Sequence, residues 1–400
     1  MKYKMTKEAG TGSLLTHLIC PECGKEYGRD GIHTVCTEEG CASILSAQYA
    51  LETSVLRKED LKEREPSLWR YKELLPVFSS ENILNLGEGW TPVVPLPNLS
   101  KEYAQGMELL LKDESGNPTG SFKARGLSVA VSKAKELGIK EFVIPTAGNA
   151  GGALAAYAAR GGLKAHIFMP VQTPAAFKAE ARLFGADVTE VDGNISDCGK
   201  LAHAGAQANG WFDISTLKEP FRLEGKKTMG YEIAEQLNWT LPDVILYPTG
   251  GGTGIVGIWK AFDELQRLGW IGNKRPRMVA VQSDSCNGIY TAFHRKAKHS
   301  EYKDNGFTIA NGLRVPKPYA DKVILRILYD SQGNAVSVSD KEILSALFEL
   351  AAREGLLFSP EGAALWQACK VLLRAGWIVK GETVLMLNTG SGYKYLDNIE

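Results

Sequence analysis

The chain has 400 residues, 44% hydrophobic and 23% charged, with 46 Lys+Arg against 46 Asp+Glu and a formal charge of zero. That length exceeds one ordinary core and predicts two or more domains, and the balanced charge excludes the basic excess of a nucleic-acid binder. No apolar run approaches the roughly 18 residues of a membrane span, Met1-Lys-Tyr-Lys-Met5 lacks the apolar core of a signal peptide, and seven cysteines make no paired disulfide framework. A soluble, reduced, cytoplasmic protein is expected.

In chain order, residues 1–60 hold four of the cysteines and no long amphipathic pattern. Cys20-Pro-Glu-Cys23 is followed by Gly24, then Cys36 and Cys41, so two pairs are separated by twelve residues. This spacing resembles a zinc ribbon, in which four thiolates share one structural ion. Four reduced cysteines in a satellite fold are the plainer reading, but residues 1–50 offer so little apolar core that a metal staple is favoured. The charged run Arg57-Lys-Glu-Asp-Leu-Lys-Glu-Arg-Glu65 reads as a surface helix or linker.

From about residue 107 apolar runs alternate with helical stretches. Strands are expected at 109–111, 142–144, 166–169, 244–247, 278–281 and 384–387, and helices at 121–138, 150–161, 254–268, 340–354 and 361–375. Repeated βα units with apolar strands predict an α/β fold with mostly parallel sheets flanked by helices. Ligands of such sheets lie beyond the strand carboxyl ends. Three clusters follow strands there: Thr146-Ala-Gly-Asn149, Thr249-Gly-Gly-Gly-Thr-Gly254 and Asn388-Thr-Gly-Ser-Gly392. Cys198, Cys286 and Cys369 have no partners in sequence and are expected as buried thiols.

The run Gly250-Gly-Gly-Thr-Gly254, between a strand and a helix, suits a phosphate, because glycines let backbone N–H groups converge where the helix dipole is positive. It is neither a Walker loop nor a dinucleotide fingerprint, and a flexible βα turn is the plain alternative. Lys123 lies near a helix start. Alone it would be a solvated surface lysine, but Phe122, Leu127 and small neighbours offer a dry pocket, where desolvation lowers a lysine pKa toward a usable nucleophile.

Asn117-Pro-Thr-Gly-Ser-Phe-Lys-Ala-Arg-Gly126 resembles the cofactor-lysine motif of the fold type II pyridoxal-phosphate (PLP) enzymes, the tryptophan-synthase-β superfamily. Leu86-Gly-Glu-Gly-Trp-Thr-Pro92, Thr146-Ala-Gly-Asn-Ala150, Pro220-Phe-Arg-Leu-Glu-Gly-Lys-Lys-Thr228 and Asn388-Thr-Gly-Ser-Gly-Tyr-Lys394 resemble segments of the threonine synthase family, in that family's order. The resemblance implies two open twisted sheets in a large domain (61–140 plus 231–400) and a small one (141–230), after a zinc-ribbon-like segment (1–60). It implies a lyase that takes O-phospho-L-homoserine and water to L-threonine and phosphate, as a homodimer. Lys123 would carry PLP and move protons, Asn149 would bond its phenolic oxygen, and Gly250, Gly251, Gly252, Thr253 and Gly254 would hold its phosphate. Thr389 would face the pyridine nitrogen. Thr146, Gly148, Ser215, Thr216 and Arg222 would bind the small-molecule substrate, Arg222 its phosphate, and Cys20, Cys23, Cys36 and Cys41 would hold zinc. At least one of Lys226 and Lys227 is expected on a solvated helix face.

Three positions depart from the family pattern. Ala124 stands where an Asp is usual, the glycine loop lacks an Asn that touches substrate phosphate, and Ala147 replaces a hydroxyl residue. They keep open β-elimination or β-replacement on a serine-, threonine-, phosphoserine- or diaminopropionate-like substrate. From another class, a PLP-binding scaffold without catalysis stays open.

Overall fold

A computed structural model describes residues 12–104, 106–304 and 306–398; the expectation for Met1–Met5 lies outside the described residues. Two α/β layers form the body. A six-stranded sheet runs in the order Asn334–Val338, Arg277–Ser283, Val244–Pro248, Thr383–Asn388, Glu108–Asp113, Val93–Pro95. Every neighbouring pair is parallel except the last, which is antiparallel. A four-stranded parallel sheet runs Asp187–Val191, Lys164–Pro170, Glu141–Pro145, Phe212–Asp213. The strand Val-Ile-Leu-Tyr-Pro248 is buried at all five positions, as expected of a parallel strand with helices on both faces. The expected helices are present, as Lys123–Glu136, Asn149–Gly161, Thr253–Arg267, Asp340–Glu354 and Pro360–Arg374. The charged run after Arg57 is a short 3-10 turn, Lys58–Leu61, that buries Leu61. Cys198, Cys286 and Cys369 are buried free thiols.

Helix Phe221–Gln236 lies at the centre, buried from Phe221 to Ala234. Its neighbours come close enough that side chains are excluded. A Cβ on Gly225 would lie 2.0 Å from the Arg125 carbonyl oxygen of helix Lys123–Glu136, and one on Gly257 would lie 2.9 Å from the Lys227 nitrogen. The solvated face expected for Lys226 or Lys227 is therefore absent: they are 1% and 0% exposed. Lys226 Nζ donates to the Phe122 carbonyl at 2.9 Å, and Lys227 pairs with Glu224 at 2.5 Å. A charged helix sequence does not reveal this, since only the packing of two further helices removes the solvent.

Two buried charge networks tie this helix to distant segments. In the first, Arg125 donates to Glu114 (2.5 and 2.8 Å) and to Glu232 (2.6 and 2.7 Å). Lys112 donates to Glu232 at 2.7 Å and to the Thr91 carbonyl at 2.6 Å. All four charged side chains are fully buried. Glu232 also accepts the Trp90 N–H at 2.7 Å, holding a non-glycine residue at φ 49°. In the second, Tyr49 of the N-terminal unit donates to Glu224 at 2.7 Å, and Lys227, Lys260, Glu264 and Tyr231 complete the cluster.

The N-terminal unit is a three-stranded antiparallel sheet, Glu26–Gly28, Leu15–Ile19, Ser46–Tyr49. Beside it Cys20, Cys23, Cys36 and Cys41 converge, with all four sulfurs within 4.8 Å of one another and two pairs at 3.5 Å. Tetrahedral zinc–thiolate bonds of about 2.3 Å imply sulfur separations near 3.8 Å, so one ion fits. Gly24 turns the first knuckle at φ 77°, and its N–H returns to the Cys20 carbonyl at 2.9 Å. The Tyr27 hydroxyl accepts the Thr37 N–H at 2.8 Å and donates to Cys36 Sγ at 3.2 Å. Burial pushes the Cys36 thiol up, but the Tyr27 hydroxyl and the Glu38 backbone hydrogen bond outweigh it and bring it down to about 6, whereas its neighbour Cys41 is pushed up to about 12.

Breaking a buried ion pair from one side leaves a charge uncompensated, so Arg125→Met is expected to destabilise the fold by about 3–5 kcal/mol in urea unfolding. Burial raises the Glu232 carboxyl, but Arg125 and Lys112 outweigh it and hold it at about 2, from an ordinary 4.5. Its contribution is thus present above 4.5 and fades as pH falls toward 2; an acid titration of wild type against Glu232→Gln reads this window. Metal analysis of protein purified with zinc is expected to give about one equivalent per chain, abolished by Cys23→Ser, with chelation lowering the unfolding temperature.

Candidate active site

The lysine helix starts from a tight turn. Thr119 and Gly120 both adopt left-handed φ, 59° and 61°, a conformation that glycine takes freely and threonine only under restraint. The restraint comes from the segment after strand Thr383–Asn388. The Phe122 N–H bonds the Thr389 carbonyl at 3.0 Å, and the Ser391 N–H bonds the Gly120 carbonyl at 2.8 Å. Lys123, the first residue of the helix, is thereby aimed across the strand ends. Its amine sits 4.4 Å from the Phe122 ring centroid and has no hydrogen-bond or ion-pair partner among the described residues. Burial, and then the Arg222 charge, lower its pKa against the opposing Glu361, to about 8 from 10.5.

Opposite lies the glycine loop. Gly252 is left-handed at φ 78° and a Cβ there would meet Ile324 at 2.2 Å, so no side chain is tolerated. It also forms the N-cap of helix Thr253–Arg267 with no side chain to offer, leaving the first-turn N–H groups pointing outward uncapped. Between lysine and loop is a cavity of about 610 Å³. Its walls include Phe122, Lys123, Asn149, Ser215, Thr216, Tyr247, Gly250, Gly251, Gly252, Thr253, Glu361 and Thr389. Gly254 lies behind the wall; its added Cβ would fall 1.9 Å from the Tyr247 hydroxyl.

Asn149 begins helix Asn149–Gly161. Its Nδ2 donates to the Tyr395 hydroxyl at 3.2 Å, and its buried Oδ1 has no partner. Tyr395 donates in turn to Glu361 at 3.1 Å, and Glu361 also accepts the Gly312 N–H at 2.7 Å. Sequence reasoning missed this relay. Its signal was the helix start Ser359-Pro-Glu361, where a carboxylate takes a first-turn position.

The remaining expected residues divide. Ser215 faces the cavity with its hydroxyl donated to Asp213, and Thr216 faces Gly251. Thr146, Gly148 and Arg222 do not form the wall. Arg222 is 1% exposed, donates to the Ile214 carbonyl at 2.7 Å and leaves Nε unpartnered. Ala147 lines a side cavity of about 30 Å³ together with Arg314. Ala124 is fully buried away from the wall. Among the described residues, four cations that sequence reasoning passed over, Lys200, Lys218, Arg314 and Lys317, do line it. The cysteine cluster is separate but touches the mouth: Tyr319, a wall residue, donates to the Ala42 carbonyl beside Cys41, and Lys322 pairs with Glu22 at 3.1 Å.

These residues fit PLP. An unpartnered, easily deprotonated lysine can bond an aldehyde, an uncapped helix start can take a phosphate, and the incompletely satisfied Asn149 amide can meet a ring oxygen. Thr389 offers a neutral hydroxyl.

The pattern of the family described as "Pyridoxal-phosphate dependent enzyme" matches residues 84–390. The threonine synthase of Methanocaldococcus jannaschii is 38% identical over 94% of this chain and 92% of that one. That of Methanosarcina acetivorans is 35% identical over 94% and 91%. Among solved structures, maize serine racemase has a TM-score of 0.66 at 22% identity, covering 77% of this chain and 93% of that one. Escherichia coli diaminopropionate ammonia lyase has a TM-score of 0.67 at 20% identity, covering 80% and 91%. The latter two speak to the fold alone. The chain belongs to the pyridoxal-phosphate-dependent enzyme family, with the fold of its type II members, and groups there with the threonine synthases.

Proposed function

We propose that the chain is a threonine synthase, converting O-phospho-L-homoserine and water to L-threonine and phosphate. The observation that carries this is the unpaired Lys123 amine facing an uncapped, glycine-lined helix start across one cavity. Similarity to threonine synthases over 94% of the chain selects the reaction. PLP, when bound, supplies an electron sink for carbanions at Cα and beyond. Lys123 would hold it, and its amine would take a proton from Cα and one from Cβ as phosphate leaves Cγ, then return protons to Cγ and Cα as water adds at Cβ. A side-chain pKa near 8 suits both directions of proton transfer. Thr389, whose hydroxyl cannot protonate it, would meet the ring nitrogen, and Asn149 would hold the ring oxygen. Thr146 and Gly148, behind the wall, would serve the substrate's amino-acid end, and Arg222, whose Nε is unpartnered, would take its phosphate with Ser215 or Thr216.

A second reading, β-elimination or β-replacement, is favoured by the glycine loop, which has no Asn to meet a substrate phosphate. Ala124 no longer bears on it, since that residue does not reach the cavity. A cytoplasmic homodimer, with units 1–60, 61–140 plus 231–400, and 141–230, completes the proposal. The separate sheets support the division, and no described helix is long and apolar enough to cross a membrane.

PLP-loaded protein given O-phospho-L-homoserine is expected to release phosphate and threonine in equal amounts; 2-oxo acid and ammonia instead would establish the second reading. Lys123→Ala is expected to abolish turnover, and borohydride should fix cofactor to Lys123 in wild type. Failure to label that peptide would leave a scaffold. Because only the neutral amine attacks, the rate at which the apoprotein takes up PLP covalently is expected to rise with pH through a midpoint near 8 rather than 10.5. Sedimentation velocity should give twice the chain mass.

A further inference from the structure

Asn149 is the wall residue proposed to meet the ring oxygen of the cofactor, and this inference rests on that placement. A side-chain amide has two ends of opposite polarity and nearly equal shape, so its own form does not decide which end is offered. A donated N–H favours an ionised ring oxygen, whereas an offered carbonyl favours the protonated one.

The choice is made behind the wall. Glu361 lies in the first turn of helix Pro360–Arg374, where the helix dipole favours a carboxylate. Its Oε1 accepts the Gly312 N–H at 2.7 Å and the Tyr395 hydroxyl at 3.1 Å. A carboxylate only accepts, so the single hydroxyl hydrogen of Tyr395 is committed to it. The Tyr395 oxygen can then only accept, and it takes an N–H from Asn149 Nδ2 at 3.2 Å. The amide is thereby turned with its nitrogen toward Tyr395. One N–H of that nitrogen is left over, and Oδ1 is buried without a partner.

Tyr395 is itself firmly held. It is 2% exposed, in the 3-10 stretch Gly392–Asn398, and its ring meets the Phe177 ring edge-on at 5.5 Å and 73°. A Cβ on Gly148 would lie 3.6 Å from Phe177, so the same ring packs under the residue before Asn149. Next to Tyr395, Lys394 donates to the Thr119 carbonyl at 3.1 Å and to Glu180 at 2.7 Å. These bonds tie the stretch to the turn that presents Lys123.

We propose that Tyr395, oriented by Glu361, is a positioning residue that makes Asn149 offer an N–H, and not its carbonyl, to the ring oxygen of the cofactor. Tyr395 does not line the cavity and acts only through Asn149.

The test uses PLP-loaded wild type, Tyr395→Phe, Asn149→Ala and the double variant, with cofactor content and unfolding temperature measured for each. The balance of the cofactor's absorption bands at fixed pH reports the ionisation of its ring oxygen. One misdirected hydrogen bond is worth about tenfold in that balance. Tyr395→Phe keeps the ring and its contact with Phe177, and is expected to move the balance about that far toward the protonated form. Asn149→Ala is expected to move it at least as far. Adding Tyr395→Phe to Asn149→Ala should change nothing more, because there is no amide left to orient. An unmoved balance in cofactor-replete Tyr395→Phe would overturn the inference. An equal Tyr395 effect in the Asn149→Ala background would overturn it too, as that marks a merely structural role. An unmoved balance in Asn149→Ala would instead refute the placement of Asn149 at the ring oxygen, and the inference with it. Glu361→Gln gives a second reading, because its amide can donate to Tyr395 and let the relay run backwards. It is expected to move the balance in the same direction as Tyr395→Phe. Loss of the negative charge alone would favour the ionised form, and a shift that way would overturn the relay.

Discussion

The structure depends on the buried pairing of Arg125 with Glu114 and Glu232. Arg125 sits two residues beyond Lys123, so whatever fixes its guanidinium fixes the start of the lysine helix. Its partners come from the end of strand Glu108–Asp113 and from the central helix, and Glu232 also clamps the Trp90 backbone in its left-handed turn. Four fully buried charges that cancel pairwise are costly to desolvate and tolerate no missing member. What they add is geometry: three segments far apart in sequence meet at one point to within hydrogen-bond tolerance. The chemistry one turn away depends on that tolerance.

The same dryness acts differently on the lysines nearby. Lys112 and Lys227 have carboxylate partners at 2.7 and 2.5 Å, whereas Lys123 and Lys226 have none among the described residues. Burial pushes Lys226 well below its ordinary range, with Lys123 and Arg222 adding to the effect, and its amine donates to the Phe122 carbonyl. Phe122 is thus flanked by two amines, at 3.9 Å (Lys226) and 4.4 Å (Lys123) from its ring, one structural and one facing the cavity. The contrast comes from the supply of nearby carboxylates, not from depth of burial.

Much of this was legible in the sequence because the βα periodicity is strong: the expected helices and strands lie within a few residues of those observed, and the four cysteines meet as their spacing implied. Three kinds of feature were not legible. Strand Phe212–Asp213 is two residues long and exists only because Glu141–Pro145 pairs with it. The burial of Lys226 and Lys227 follows from glycine contacts between helices, which one helix cannot reveal. Arg314 flanks no motif and Lys218 only precedes the Pro220–Thr228 segment; surface-like in sequence, both line the cavity once the chain is folded.

The contact of Tyr49 with Glu224, 175 residues on, sets an order of events during synthesis. The knuckle and its three strands leave the ribosome first, and their local contacts are complete by about residue 50. Yet the charged cluster that Tyr49 enters needs Lys260 and Glu264, so the earliest segment to take shape is held against the body only when most of the chain has emerged.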